Sequence, residues 1–392
     1  MASREVFFLC TAYRPTSLQK DFYLVVIVTK RHSSIQPYLE PASTKSILLK
    51  TIEEMKAVRL TTVGEETRLE MRDEPLPNPG RHEVLVRVHA ASLNFRDHAV
   101  LNHPYGAAMK KDVIPLSDGA GEVISTGDGV SRIKVGDRVV ANCFLHWIGG
   151  PFLPEYNAGS VGFSVDGMLA EYVVLPETAL VHLPASMSYI EAASLPCAAG
   201  AAWSSLNLAT PLQPGQTVLV QGTGGVALFA LQIAQMFGAR VLAITSSDEK
   251  AAKLKELGAE SVVNYNTCPD WDREILALTD GQGVDKVIDI AGEKTIVKSA
   301  ASARIRGEIA LVGSASGFGG GLSPVDILYR SLIIGSSTIG PRTNLETLLK
   351  AMTMHGVRPV IDRVYPFAEY REAYQRIQSG GHIGKVVIDV AH

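Results

Sequence analysis

The stretch Thr217–Ala259 constrains this chain most. An apolar run, Val218 to Val220, ends at Gln221-Gly222-Thr223-Gly224-Gly225-Val226-Ala227. A helical pattern follows at once, and then a second apolar run, Val241 to Ile244. Strand, glycine turn, helix and strand in that order are the setting in which G-x-G-x-x-G/A binds a dinucleotide. Gly222 permits the tight turn, and Gly224 lets the backbone approach a pyrophosphate. Ala227, in the third small position, lets the helix pack close to the strand. The helix start then offers free N–H groups and a positive dipole end to the phosphates. Gly222, Gly224, Gly225 and Val226 are therefore read as cofactor-binding residues.

A chain of 392 residues has room for two domains. A net charge of −3 gives it no bulk electrostatic reason to bind nucleic acid or an anionic membrane. No apolar run approaches the roughly 20 residues that a spanning helix needs. The four cysteines, Cys10, Cys143, Cys197 and Cys268, are scattered, which argues against a disulfide framework and a compact zinc lobe. They fit buried thiols in a reducing cytosol, so a cytoplasmic location is expected. Residues 1–54 read as an extension, either disordered or preceding the true start at Met55. Glu5 and Asp21 fit a mitochondrial presequence poorly, and a mitochondrial location follows only if the extension is one.

From Met55 to about His182, short strands alternate with glycine-rich turns. Glu83–Ala91, Gly121–Ser125, Asp137–Asn142 and Met168–Leu175 are the strand candidates, and Gly149–Gly167 reads as loop. A barrel-like, mainly β domain is expected over residues 55–182. From residue 183 to 340 strands and helices alternate, which predicts a parallel sheet covered on both faces. A helix over Tyr189–Leu206 leads in. The strands are Val218–Val220, Val241–Ile244, Ser261–Asn264, Lys286–Ile290, Glu308–Val312 and Leu332–Ser336. Residues 341–392 add helices at Leu345–Met354 and Phe367–Ser379 and a last strand, Lys385–Asp389.

Several motifs in order, KAVRL, EVLVRVHAASLNFRD, DGAGEV, GDRV, GTGGV, ELGAESVVNY and GHIGKVVI, resemble the medium-chain dehydrogenase/reductase superfamily. The resemblance runs from Met55 to the C-terminus. It implies an α/β chain with a GroES-like, β-rich catalytic domain that is interrupted by a Rossmann parallel-sheet domain and completed by the C-terminal segment. Cofactor and substrate would share the cleft between the two. It also implies a homodimer through the sixth Rossmann strand, around Ile333–Ser336.

Relatives with catalytic zinc hold it with a Cys, a His-Glu pair and a third Cys or His. The matching positions here are Asn94, Leu116-Ser117-Asp118 and Cys197. Asn94 and Ser117 are poor replacements for a thiolate and an imidazole, so no metal site is expected and Cys197 reads as a packing residue. The chain thus resembles the zinc-independent branch of quinone oxidoreductases and enoyl or enone reductases. That likeness implies that Asn94 lines the nicotinamide and substrate pocket; an ordinary turn-stabilising Asn is the alternative. Arg96 and Asp97 read as an internal ion pair or a helix cap.

The end of the second Rossmann strand separates the cofactors, because an acidic residue there accepts from both ribose hydroxyls of NAD and repels a 2′-phosphate. Thr245 stands at that place, followed by Ser246, Ser247 and Lys250, with Asp248 expected as the helix N-cap. NADP(H) is the expected cofactor, although a Lys there can also touch an NAD ribose. Tyr265 matches a family position near the 2′-phosphate, or is simply an exposed strand-end Tyr.

Without a metal, alcohol oxidation lacks a Lewis acid, whereas conjugate reduction needs only donors for an enolate oxygen. Tyr105, in NHPYG, is the candidate donor, and a pocket-wall role is its alternative. The expected substrate is a small apolar or conjugated carbonyl compound. The apolar, glycine-rich segments Leu145–Phe163 and Ser314–Gly321 are expected to form a mobile rim. The expected activity is NADPH-dependent enone, enoyl or quinone reduction. A zinc-type alcohol dehydrogenase and a non-catalytic NADPH-binding protein are the competing readings.

Overall fold

A computed structural model describes residues 54–63, 66–102, 109–317 and 319–392. The extension at 1–54, apart from Glu54, lies outside the described residues, and so does Tyr105.

Two main sheets carry the site. The first is six-stranded and parallel, in the order Ser261–Asn264, Arg240–Thr245, Thr217–Gln221, Val284–Asp289, Ala303–Leu311, Ile333–Ser336. Chain order reverses beside Thr217–Gln221, so the crevice at its carboxyl end is a topological switch point, where open α/β sheets take their ligands. The strand is buried along most of its length because helices cover both faces. Leu228, Phe229, Ala230, Leu231, Ile233 and Ala234 of the helix Gly225–Met236 are buried in the same core, and Ala227 is buried too. Each large apolar side chain there contributes roughly 1.5–3 kcal/mol by leaving water.

The second sheet has seven strands. Its path is Ile361–Pro366, Lys385–Asp389, Glu83–Ser92, Asp118–Thr126, Arg138–Ala141, Leu180–His182, with Tyr172–Pro176 also pairing to Glu83–Ser92. The last strand of the chain therefore sits beside one of the first. That closure carries the GHIGKVVI segment back to the glycine turn. Among the described residues no helix is long and apolar enough to cross a membrane.

Two local expectations differ, and one strand was not anticipated. The helix expected over Tyr189–Leu206 is two helices, Tyr189–Ala193 and Ala198–Leu206. Pro196 stands in the break, where its ring and missing N–H disfavour a continuous helix. The strand Glu66–Pro75 pairs with Glu54–Val63 as an antiparallel ribbon, although six of its ten residues are charged. The segment around Leu145–Phe163 is packed: Phe144, Trp147, Phe152 and Tyr156 form an aromatic cluster against Cys197 and Ile339.

Candidate active site

Gly222 ends its strand at φ +78°, a left-handed conformation that glycine adopts without steric cost. Its N–H donates to Ile244 O at 2.7 Å, which ties the turn to the neighbouring strand. Gly224 is the N-cap of the helix Gly225–Met236 and brings no side chain to it. The first-turn N–H groups thus have no side-chain acceptor and suit an anion. A Cβ on Gly225 would stand 2.7 Å from Lys385 Cδ and 3.0 Å from Ala198 Cβ. The C-terminal segment is stitched to this turn. Gly384 N–H donates to Thr223 O at 2.8 Å, the Thr223 hydroxyl donates to His382 O at 3.3 Å, and Gly224 bridges Gly384.

At the end of the second strand Thr245 is buried, and its hydroxyl has no partner. Ser246 O accepts from Asn266 Nδ2 at 2.8 Å. The helix cap differs from expectation. Ser247 is the N-cap, its hydroxyl accepting from Lys250 N–H, and Asp248 is the first helical residue. Asp248 instead accepts from Asn264 Nδ2 at 2.8 Å. Serine's short hydroxyl reaches the N3 amide as well as a carboxylate would. The Lys250 ammonium donates to Gly380 O at 3.0 Å, so this helix also holds the C-terminal segment. Tyr265 follows the third strand, 39% exposed, with its N–H on Thr245 O. The uncapped helix start, the close approach at Gly225 and the orphaned Thr245 hydroxyl fit a dinucleotide along this edge.

The strand Glu83–Ser92 delivers Asn94 to the start of the helix Phe95–Asn102. Asn94 is its N-cap by position, and Asp97 returns from N3 to accept from Asn94 N–H at 2.8 Å. That is the helix-cap reading of Asp97. Burial pushes the Asp97 carboxyl up to about 6, against the opposing pull of Arg96 and the Asn94 amide. Arg96 turns elsewhere, donating to Val161 O at 2.6 Å and Ser160 Oγ at 3.2 Å.

The Asn94 side chain is 8% exposed, and its orientation is fixed by chemistry. Lys385 Nζ lies 2.6 Å from its Oδ1 and 2.6 Å from Leu93 O. An ammonium only donates, so the amide oxygen must face it and Nδ2 must point away. Asn94 Nδ2 is buried and has no acceptor.

The superfamily also implies catalytic zinc, and the residues present do not fit it. Asp118 is spent on protein donors. Its Oδ1 accepts from Ser117 Oγ at 2.6 Å and lies 3.3 Å from Cys143 Sγ, while its Oδ2 accepts from Cys197 N–H at 3.1 Å. Burial raises the Cys143 thiol well above its ordinary value, keeping it a neutral donor. The Lys385 ammonium lies 3.9 Å from Asp118 Oδ2, between the two positions that would flank the metal. Zinc needs three deprotonated ligands, and here it would meet an amide, a committed carboxylate and a resident cation. Cys197 packs against the aromatic cluster.

The glycine turn reaches the end of the second strand through Gly222 and Ile244 O, while Asn94 meets Lys385 and Lys250 meets Gly380; sequence reasoning assigned nothing to Lys385 or His382. The one available signal was a lysine inside the apolar run IGKVVI.

Residues 80–185 match the family described as "Alcohol dehydrogenase GroES-like domain", and residues 225–354 match "Zinc-binding dehydrogenase". A zinc-type alcohol dehydrogenase-like protein of Schizosaccharomyces pombe is 39% identical over 319 residues, covering 80% of this chain and 92% of that protein. An acryloyl-coenzyme A reductase of Metallosphaera sedula is 29% identical over 351 residues, covering 85% and 99%. The crystal structure of a putative alcohol dehydrogenase from Sinorhizobium meliloti superposes with a TM-score of 0.82 at 36% identity, covering 87% of this chain and all of that one. With this fold, this glycine turn and these relatives, the chain belongs to the medium-chain dehydrogenase/reductase superfamily of NAD(P)-dependent oxidoreductases.

Proposed function

We propose that this protein is an NADPH-dependent reductase of activated C=C bonds or quinones that works without catalytic zinc. The observation that carries this reading is the Lys385 ammonium, which pins the Asn94 amide where relatives would hold a metal. Bound NADPH supplies the hydride. In an α,β-unsaturated ketone that hydride would add to the β-carbon, the double-bond electrons would move onto the carbonyl oxygen, and the α-carbon would then take a proton from solvent as the carbonyl re-forms. Asn94 Nδ2, the buried donor without a partner, is the group offered to the developing enolate oxygen. Tyr105 is kept as a second donor, so Tyr105→Phe should lower turnover and leave cofactor affinity unchanged.

Preference for the phosphorylated cofactor rests on Thr245, which carries no charge to repel a 2′-phosphate, and on Ser246 and Lys250 beside it. Titrating NADPH and NADH separately should show NADPH binding more tightly; tighter NADH binding would overturn the preference. A homodimer fits the outer strand Ile333–Ser336, and in the helix that precedes it Leu328 is 75% and Tyr329 84% exposed. The second reading, a zinc-type alcohol dehydrogenase, is favoured by the Schizosaccharomyces pombe relative of that name. Metal content of the purified protein separates the two.

A further inference from the structure

His382 arrives at the glycine turn from the far end of the chain. A Cβ added to Gly224 would lie 3.8 Å from His382 Nε2. Gly224 is the position whose missing side chain lets a pyrophosphate approach. The imidazole therefore stands over the very place that phosphate oxygens would reach. Its other nitrogen, Nδ1, is buried and has no partner.

The backbone around the ring is held firmly. His382 O accepts from the Thr223 hydroxyl, Gly384 N–H donates to Thr223 O, and Ile383 N–H donates to Asp362 at 2.9 Å. Gly380 O receives the Lys250 ammonium. The charged groups facing the ring are Asp362 from its strand, Arg376 from the last helix, Lys250 from the helix after the second Rossmann strand, and Lys385. Asp362 is already committed to Arg376 through two bonds of 2.8 Å. Three cations and one engaged carboxylate leave the neighbourhood positive, with the imidazole as the proton-accepting member.

We propose that His382 is a ligand of the cofactor diphosphate, donating from Nε2 to a phosphate oxygen as an imidazolium. This inference rests on the cofactor reading above and deepens it with a residue carried by the catalytic part of the chain. Before the cofactor binds, burial first and then Lys250, Arg376 and Lys385 hold the imidazole below its ordinary value, with Asp362 opposing. A diphosphate brings negative charge to Nε2 and raises it. Binding then takes up a proton wherever the pH lies between the free and bound values. Affinity is greatest in acid and falls as the pH rises through that window.

The test uses NAD+, whose diphosphate does not change ionisation between about pH 5 and 8, alongside NADP+, whose 2′-phosphate does. Dissociation constants across that range, and calorimetry in two buffers of different ionisation enthalpy, are measured for the full chain and for His382→Gln. The full chain should take up a proton with NAD+ near neutrality, with affinity falling towards alkaline pH. His382→Gln should weaken binding by about tenfold or more in acid and take up no proton. Equal affinity and an equal pH slope in the variant would overturn the assignment. So would tighter binding by His382→Ala, which would make the ring an obstruction. If the full chain binds neither nucleotide at any pH, the cofactor reading itself fails; if it binds both and the variant matches it, only the role of His382 falls.

Discussion

Turnover should fall about a hundredfold when Asn94 is replaced by alanine or by aspartate, while cofactor affinity should stay unchanged. The two variants separate the jobs of one side chain. Alanine removes both the oxygen that receives Lys385 and the donor at Nδ2. Aspartate keeps an oxygen for the ammonium and loses only the N–H. If Asn94 serves merely to satisfy Lys385, aspartate should retain activity. If Nδ2 donates to the enolate oxygen, aspartate should fail as badly as alanine, since a carboxylate paired with the Lys385 ammonium has no proton to donate. Steady-state rates with an enone, together with a melting curve to show that each variant is folded, decide between these. The expected size is that of a lost oxyanion donor in other enzymes.

The second large effect belongs to the glycine turn. Gly225→Val drives a branched side chain into Lys385 and Ala198, where a Cβ alone would already be 2.7 Å and 3.0 Å from its neighbours. Such overpacking costs about 1–3 kcal/mol. The variant should also weaken NADPH binding by roughly tenfold or more, because the added methyls crowd the helix start that receives phosphate. Displacing Lys385 frees the Asn94 amide to rotate, so turnover should drop even at saturating cofactor. Gly149→Ala is the control, since its Cβ meets only Thr343 Oγ1 at 3.6 Å, an ordinary contact. A Gly225→Val protein with unchanged nucleotide affinity would remove the turn from the binding site.

Local pattern carried the Rossmann half into view. Apolar runs such as Val218 to Val220 and small residues at Gly222, Gly224 and Ala227 are short-range signals, and the strands they mark all form. Three kinds of feature were hidden, each for a physical reason. The strand Glu66–Pro75 is stabilised by its antiparallel partner and carries too many charges to show a period of two. The helix Phe95–Asn102 is short, and what defines it is the Asn94–Asp97 cap rather than an apolar stripe. Lys385 and Asn94 are 291 residues apart, so their bond exists only because the last strand lies beside Glu83–Ser92. The family resemblance pointed to Asn94, Ser117 and Asp118 at the expected ligand positions; only the fold shows a lysine ammonium beside them.

The proposed reaction is hydride transfer to an activated double bond with no metal in the site. It is tested most directly by NADPH oxidation in the presence of an α,β-unsaturated ketone, using protein dialysed against a strong chelator and assayed for metal. Turnover that persists in zinc-free protein and is not raised by added zinc is the predicted result. Activity that disappears with the metal and returns in proportion to zinc would contradict the account.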